Sequence, residues 1–339
     1  MQKTKERKTQ KTSQKNLLST QVKQFAAQNA LFSKNSKIVV GLSGGPDSVF
    51  LLHFFSELYR EGEISELSAA HLDHEWRTDS GKDTQFCQDL AKKYGVQFFS
   101  TKLSELAFSE KPNGSLEEMG RNARRFFFEQ VRKKQNADLI ALAHHAQDQQ
   151  ETFFIRLLRG ATLSGLTGMQ PKQGRYIRPL LETNKSNLVA FLDAHNISYL
   201  TDPSNESDQF LRNRIRNNVI PALRVCDERF DKKYAHTLAS LQRTENFLVQ
   251  ETKKHFEKVA LKKEMFFQLD LKKLFQLHPV LYERVLLYWL CQEQVQFPVS
   301  RGFFQELVKF LQQPHGGTHQ LHHDWRLIKQ KGMVRVEKG

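Results

Sequence analysis

The feature that most restricts the fold is the six-residue run Ser43-Gly44-Gly45-Pro46-Asp47-Ser48, set between two apolar segments. Before it, KIVVGL (37–42) is a short apolar run of the kind a buried strand carries. After it, VFLLHFFSELYR (49–60) has the apolar spacing of a helix. No further linker separates the two. A chain that passes from strand to helix this fast builds a βα unit. Glycines allow the backbone positive φ and a close approach to whatever lies above the turn. Proline is tolerated at a helix start, where its missing N–H would have no partner anyway.

The alternation then repeats. LSAAHLD (67–73) reads as a second strand, followed by a helix over 81–94, and VQFFSTKL (96–103) as a third strand. A long helix runs from Ser115 to Lys133, opened by a capping box in which Ser115 accepts and Glu118 reaches back. DLIALAHH (138–145) is a fourth strand with a helix over 147–159, and YIRPLL (176–181) a fifth with a helix over 184–195. Strands alternating with helices imply an α/β fold with a doubly wound, mostly parallel sheet. After Pro221 the pattern changes. Helices are expected over 230–258, 279–294 and 300–313, and the tail reads as two strands around Gln330-Lys331-Gly332. The expected organisation is a basic flexible arm (1–22), a catalytic α/β domain (23–222) and a mostly helical domain with a small β element (223–339).

Charge narrows the partners. The 339 residues carry a net charge of +14, which attracts a polyanion because each neutralised phosphate releases counterions. Nucleic acid is the expected partner. The three cysteines, Cys87, Cys226 and Cys291, are far apart and form no C-x-x-C, which argues against a zinc ribbon, a disulfide framework or a cysteine-held cluster. A cytoplasmic location is expected. No apolar run approaches about 18 residues, so no membrane contact is expected. Residues 1–22 have no apolar signal segment.

The phosphate chemistry follows from the loop. A helix N-terminus offers unpaired N–H groups and the positive end of a dipole, a natural phosphate seat, and Ser43 and Ser48 add hydroxyls. The lysine of a Walker A loop is absent. Asp47 beside a phosphate calls for a cation, and Mg²⁺ takes a carboxylate or two plus phosphate oxygens. In a doubly wound sheet the carboxyl ends of the strands face the ligand. Those ends carry Asp47, then Asp73, His74 and Arg77, then His144, His145 and Asp148. Asp148 is a second candidate carboxylate, for Mg²⁺ or for receiving an amine's proton. His71 and His74 are three apart at a strand end and point to different faces, which disfavours a metal pair. His74 and Arg77 are candidates for base stacking or phosphate contact, or are ordinary loop residues. Glu117, Arg121 and Arg125 recur every fourth residue with Arg124 beside them, a salt-bridged face or a guanidinium clamp. In QFLRNRIRNNVIP, Arg212 and Arg216 are four apart, as are Asn213 and Asn217, beside an apolar stripe of Leu211, Ile215 and Val219. Many surface helices share that pattern.

In order along the chain, SGGPDS, HLDHEWR (71–77), Glu117 to Arg124, HHAQDQQET (144–152), Arg159-Gly160, RPLL (178–181), DPSN (202–205) and RNRIRNNVIP (212–221) resemble the PP-loop ATP pyrophosphatases, and among them the tRNA(Ile)-lysidine synthases. The resemblance covers about residues 37–222 and is loose beyond. Three departures stand out: Gln147 where Asp is common, Phe126 where Tyr is common, and Glu75-Trp76 in place of a smaller, more aliphatic pair. The resemblance implies an ATP-dependent ligase forming a C–N bond. ATP adenylates the wobble cytidine of tRNA(Ile), and free L-lysine then displaces AMP. It implies that Ser43, Gly44, Gly45, Pro46, Asp47, Ser48 and His74 hold ATP, and that Asp47 and Asp148 hold Mg²⁺. Asp47, Asp148, His144 and Arg121 would act in catalysis. Arg77, Arg124, Arg159, Arg212, Asn213, Arg214 and Arg216 would meet tRNA. A monomer or homodimer is expected. A PP-loop tRNA thiolase, a small-molecule synthetase with the same loop, and a non-catalytic tRNA-binding protein are the alternatives.

Overall fold

A computed structural model describes residues 17–77, 79–107, 116–201, 210–264, 266–295, 297 and 300–339. Ser115 of the capping box and the segment DPSN (202–205) lie outside them, as do residues 1–16. The chain divides into two units, Met1–Ala235 and His236–Gly339.

In the first unit, β1 (Lys37–Gly41), β2 (Glu66–Asp73), β3 (Gln97–Lys102), β4 (Leu139–Ala141), β5 (Lys172–Gln173) and β6 (Tyr176–Ile177) form one sheet in the order β3-β2-β1-β4-β6-β5. All pairings are parallel except β5 with β6. The expected α/β class is therefore observed. The central strand β1 is apolar and buried at Ile38, Val39 and Val40 because both its faces are covered. Ile38 and Val40 pack into a core with α2 (Pro46–Arg60), while Val39 points the other way, into a core with Phe127, Phe128 and Val131 of α4 (Leu116–Lys134). The strand order reverses direction between β1 and β4. A crevice opens there at the carboxyl ends, where doubly wound sheets bind ligands.

Several boundaries differ from expectation. Residues 17–22, assigned to the flexible arm, are helical and continue to 28 as α1. Leu18, Val22, Phe25 and Ala26 recur at helical spacing and are buried in the first core, which is why the segment is ordered. The fifth strand ends at Ile177 because Pro179 has no N–H to give a ladder. The fourth ends at Ala141, so residues 142–145 leave the ladder and reach the crevice. α3 (Gly81–Tyr94), α5 (Ala146–Leu158) and α7 (Lys185–Ala194) match the expected helices closely. After the short helix α6 (Leu163–Leu166) and α7 comes a continuous helical stretch: α8 (Leu211–Arg214), a π turn (Ile215–Val219) and α9 (Ile220–Cys226). Pro221, after which the sequence pattern changes, lies at the π-to-α junction of this stretch, where a missing i→i−4 donor is tolerated by the wider turn. The first unit runs past residue 222 because α10 (Phe230–Val259) begins on it. Tyr234 donates to the Gln149 carbonyl at 2.9 Å, and Phe230 and Tyr234 pack on Phe154 and Phe153.

In the second unit, α10 continues and is followed by α11 (Leu271–Leu274), α12 (Pro279–Gln292) and α13 (Arg301–Gln312). A five-stranded antiparallel sheet, larger than the two strands expected, has the order β7-β8-β11-β10-β9. Its strands are β7 (Ala260–Lys262), β8 (Phe267–Asp270), β9 (Gly317–His322), β10 (Trp325–Gln330) and β11 (Met333–Lys338). Lys331 and Gly332 both take positive φ, +50° and +74°, which is the turn chemistry of a two-residue hairpin. The core is built on the fully buried Trp289, whose indole N–H donates to the Phe267 carbonyl at 3.1 Å. No described helix is long and apolar enough to cross a membrane.

Candidate functional site

The loop after β1 is held by its own side chains. Ser48 Oγ receives the Ser43 N–H at 3.1 Å and donates to the Gly45 carbonyl at 3.0 Å. Gly44 needs φ +83°, and a Cβ there would lie 2.7 Å from Leu200 Cδ1. Its carbonyl receives the Leu200 N–H at 2.9 Å. Pro46 opens α2, so the free N–H groups of that helix point into the crevice.

Asp47 and Asp148 meet around one histidine. His145 Nε2 is 3.6 Å from Asp47 Oδ2 and 3.5 Å from Asp148 Oδ2, and the His145 backbone N–H donates to Asp148 Oδ2 at 2.9 Å. His145 is buried, and its Nδ1 has no partner. The two carboxyls titrate in opposite directions. Burial pushes Asp47 up from its ordinary value, with the Asp148 charge adding to that and His145 and Lys185 opposing it. Burial also pushes on Asp148, but His145, His144 and Arg212 outweigh it and hold that carboxyl below its ordinary value. Asp47 Oδ1 is buried with no hydrogen-bond partner. A buried carboxylate oxygen left open beside a phosphate seat fits a cation, and Mg²⁺ accepts such a donor set. No described group of three or more acidic, histidine or cysteine side chains forms a fuller metal cage.

Gln147, which departs from the family's Asp, turns away from this centre. Its amide donates to Asn184 Oδ1 at 3.1 Å and accepts the Lys185 N–H at 3.0 Å, closing the start of α7. His144 lines the crevice and is pushed down to about 3 by burial, with the positive charges of Arg178, Arg212 and Arg121 adding to that. It is therefore neutral at pH 7. Arg121 is exposed and acts on His144 through its field.

Arg212 and Arg216, expected on a tRNA-facing stripe, both reach Glu151. Arg212 Nε is 2.8 Å from Glu151 Oε2, and Arg216 Nε is 2.6 Å from Glu151 Oε1. Glu151 is fully buried. Asn213 is buried, and Arg159 and Arg214 are exposed. Arg77 pairs with Asp83, and Arg124 donates to His74 Nε2 at 3.0 Å. His71 Nδ1 lies 2.9 Å from the Leu42 carbonyl. Sequence reasoning underrated three residues. His145 bridges the carboxylates, Glu151 anchors two arginines, and Arg178 is 2% exposed. An arginine inside the apolar run YIRPLL was the available signal for the last.

A cavity of about 340 Å³ joins the loop to the ends of β2 and β4 and to α4. Its walls include Ser43, Asp47 and Ser48 at one side and His74, Trp76 and Arg124 at another. The model of a family described as a PP-loop domain matches residues 14–223. The chain belongs to the PP-loop domain family. A tRNA(Ile)-lysidine synthase of Bacillus subtilis is 35% identical over 243 residues, 70% of this chain and 51% of that protein. One of Geobacter sulfurreducens is 40% identical over 206 residues, 60% and 43%. One of Persephonella marina is 28% identical over 310 residues, 91% and 67%. The chain thus spans about half the length of the first of these relatives. The PP-loop fold is shared with the U34-tRNA thiolase NcsA of Methanococcus maripaludis, at a TM-score of 0.55 and 15% identity over 66% of this chain and 78% of that one.

Proposed function

We propose that this chain is a tRNA(Ile)-lysidine synthase. It uses ATP to adenylate the C2 oxygen of the wobble cytidine and release pyrophosphate. The ε-amine of free L-lysine then attacks C2, and AMP leaves. The observation that carries the reading is the meeting of Asp47 and Asp148 beside the phosphate loop, at the point where the strand order reverses. The curated relatives named above support the substrate.

Asp47 and Asp148 would hold Mg²⁺, which would offset charge on the reacting α-phosphate. The chain's own groups do the rest. The backbone N–H groups at the start of α2, with Ser43 and Ser48, cradle the departing pyrophosphate. Glu151 fixes Arg212, whose Nη2 lies 3.9 Å from Asp148 Oδ1 and adds to the pull of His145 and His144 that keeps that carboxylate ionised. The attacking nitrogen turns acidic as its lone pair enters the C–N bond. Asp148, though depressed, then suffices to take the proton. The incoming lysine ammonium first gives a proton to solvent water and so becomes the amine that attacks, and neutral His144 presents a lone pair beside it without adding charge. Arg159 and Arg214, both exposed, are the tRNA phosphate contacts, which position the substrate without reading its sequence.

The test is direct. The protein, ATP, Mg²⁺, radiolabelled lysine and bulk tRNA are mixed, and label in acid-precipitated RNA is counted after alkali. ATP-dependent, alkali-stable label is expected, since an aminoacyl ester would not survive. No label from protein that binds both ATP and tRNA overturns the reading.

A further inference from the structure

Trp76 is 50% exposed, although it is among the largest apolar side chains in the first unit. It lies on the wall of the cavity that begins at the phosphate loop. Its indole is stacked on the His74 ring, with centroids 4.6 Å apart and planes 21° from parallel. Arg124 fixes the far side of that imidazole through Nε2. Burial and the Arg124 charge push His74 down to about 4, so its ring is neutral at pH 7 and the two rings form an uncharged platform. α4 closes on the platform's edge. Gly120 faces it with no side chain, and a Cβ there would come within 2.8 Å of Trp76 Cζ2.

The turn that presents the indole is itself held against strain. Glu75 takes φ +55°, a left-handed conformation unusual for a residue with a side chain. Two bonds hold it there: the Glu75 N–H donates to Asp73 Oδ1 at 2.9 Å, and the Ser104 N–H donates to Glu75 Oε2 at 2.8 Å. Strain that the surroundings over-determine is a mark of a functional position. The cavity between platform and phosphate loop has the volume of a small-molecule site, and Leu42, Leu72, Phe128 and Leu142 line it. A ligand with phosphates at Ser43–Ser48 and a flat, apolar-faced group at its other end fits that layout.

We infer that Trp76, backed by His74, is the nucleobase-stacking residue of this site and takes the adenine of ATP. The inference rests on the ATP-using reading above, yet fails separately from it. The measurement is ATP binding without lysine or tRNA, followed by tryptophan fluorescence and by calorimetry. The other two tryptophans, Trp289 and Trp325, lie in the second unit and give the background. Saturable quenching by ATP is expected in the unsubstituted chain. Trp76→Phe loses the quench but keeps ATP affinity within about threefold, since a phenyl ring still stacks. Trp76→Ala weakens ATP about tenfold, in the range of a lost base–aromatic stack. Inorganic tripolyphosphate, which has no base, binds all three alike. Equal ATP affinity in Trp76→Ala and the unsubstituted chain overturns the inference, and so does an equal loss of tripolyphosphate binding. Unchanged ATP affinity with lost tRNA-dependent labelling overturns it in favour of stacking on an RNA base. Absence of ATP binding in the unsubstituted chain would instead overturn the proposed function.

Discussion

Buried polar atoms without partners are unevenly spread between the two units. Among the described residues the first unit holds Asp47 Oδ1, the Nδ1 atoms of His74, His144 and His145, and Arg178 Nε. The second holds His322 Nδ1. Its other buried charges are answered. Arg284 grips Glu245 with two bonds of 2.8 and 2.6 Å, and Lys329 donates to the carbonyls of Leu311 and Gln313 at the end of α13. A buried polar group left unpaired costs about 1–3 kcal/mol. A fold that keeps several of them along one crevice, and satisfies nearly all elsewhere, reserves that crevice for a ligand.

The contrast can be broken most sharply at Glu151, a buried charge in the first unit that is fully answered. Glu151→Ala removes the partner of two arginines and is expected to cost about 3–5 kcal/mol in chemical denaturation. A loss under about 1 kcal/mol would mean that the crevice edge is not organised by this pair. Asp47→Asn should behave in the opposite way. Activity in the lysine-labelling assay should fall by about 10²–10³, the scale of losing one preorganised electrostatic group, while stability at pH 7 should rise. The sign follows from its raised folded pKa: ionising Asp47 costs the native state, so stability falls as pH rises through that pKa. The gain in the variant should therefore vanish on acidification below the ordinary carboxylate range. Asp148→Asn should be less stable than the unsubstituted chain at pH 7. Because its folded pKa is lowered, that deficit should disappear as pH falls through it. Melting curves against pH that move together for the two variants would contradict the opposed environments described here.

In the second unit, Lys329→Met should cost about 1–3 kcal/mol, because two carbonyls at a helix end lose their donor, with no change in ATP binding. The smallest effect is expected on the surface. Arg214→Ala should leave stability unchanged and weaken tRNA slightly, lowering the slope of log affinity against log salt by about one.

The βα framework was legible because its signals are local. Short apolar strands, helical stripes and the glycine-proline loop each specify themselves. So was the gathering of Asp47, His74, His144 and Asp148 on one edge, since a parallel sheet sends every strand's carboxyl end the same way. What was not legible depends on partners distant in sequence. The stripe of Arg212 and Arg216 reads as surface until Glu151 is seen beneath it. Residues 17–22 read as solvated until their few apolar side chains meet a core. The five-stranded sheet escaped because β7 and β8 are short and β9 sits in a polar, histidine-rich run.

The π turn at Ile215–Val219 has a consequence for insertions and deletions. An α-helix rotates about 100° per residue, and a π turn holds one residue more than an α turn. All that follows it is turned by about that angle relative to an uninterrupted helix. With the extra residue, Arg212 and Arg216 both point at Glu151 while Ile220 still faces inward, 3% exposed. Deleting Asn218 would relax the stretch to plain α geometry and leave Ile220 facing inward, whereas adding a residue would swing Ile220 away from the interior by about 100°. The helical stretch from Arg212 to Ile220 would tolerate the loss of one residue far better than the gain of one. The π turn acts here as a phase shifter, which keeps the arginines before it and the apolar face after it in register despite one extra residue.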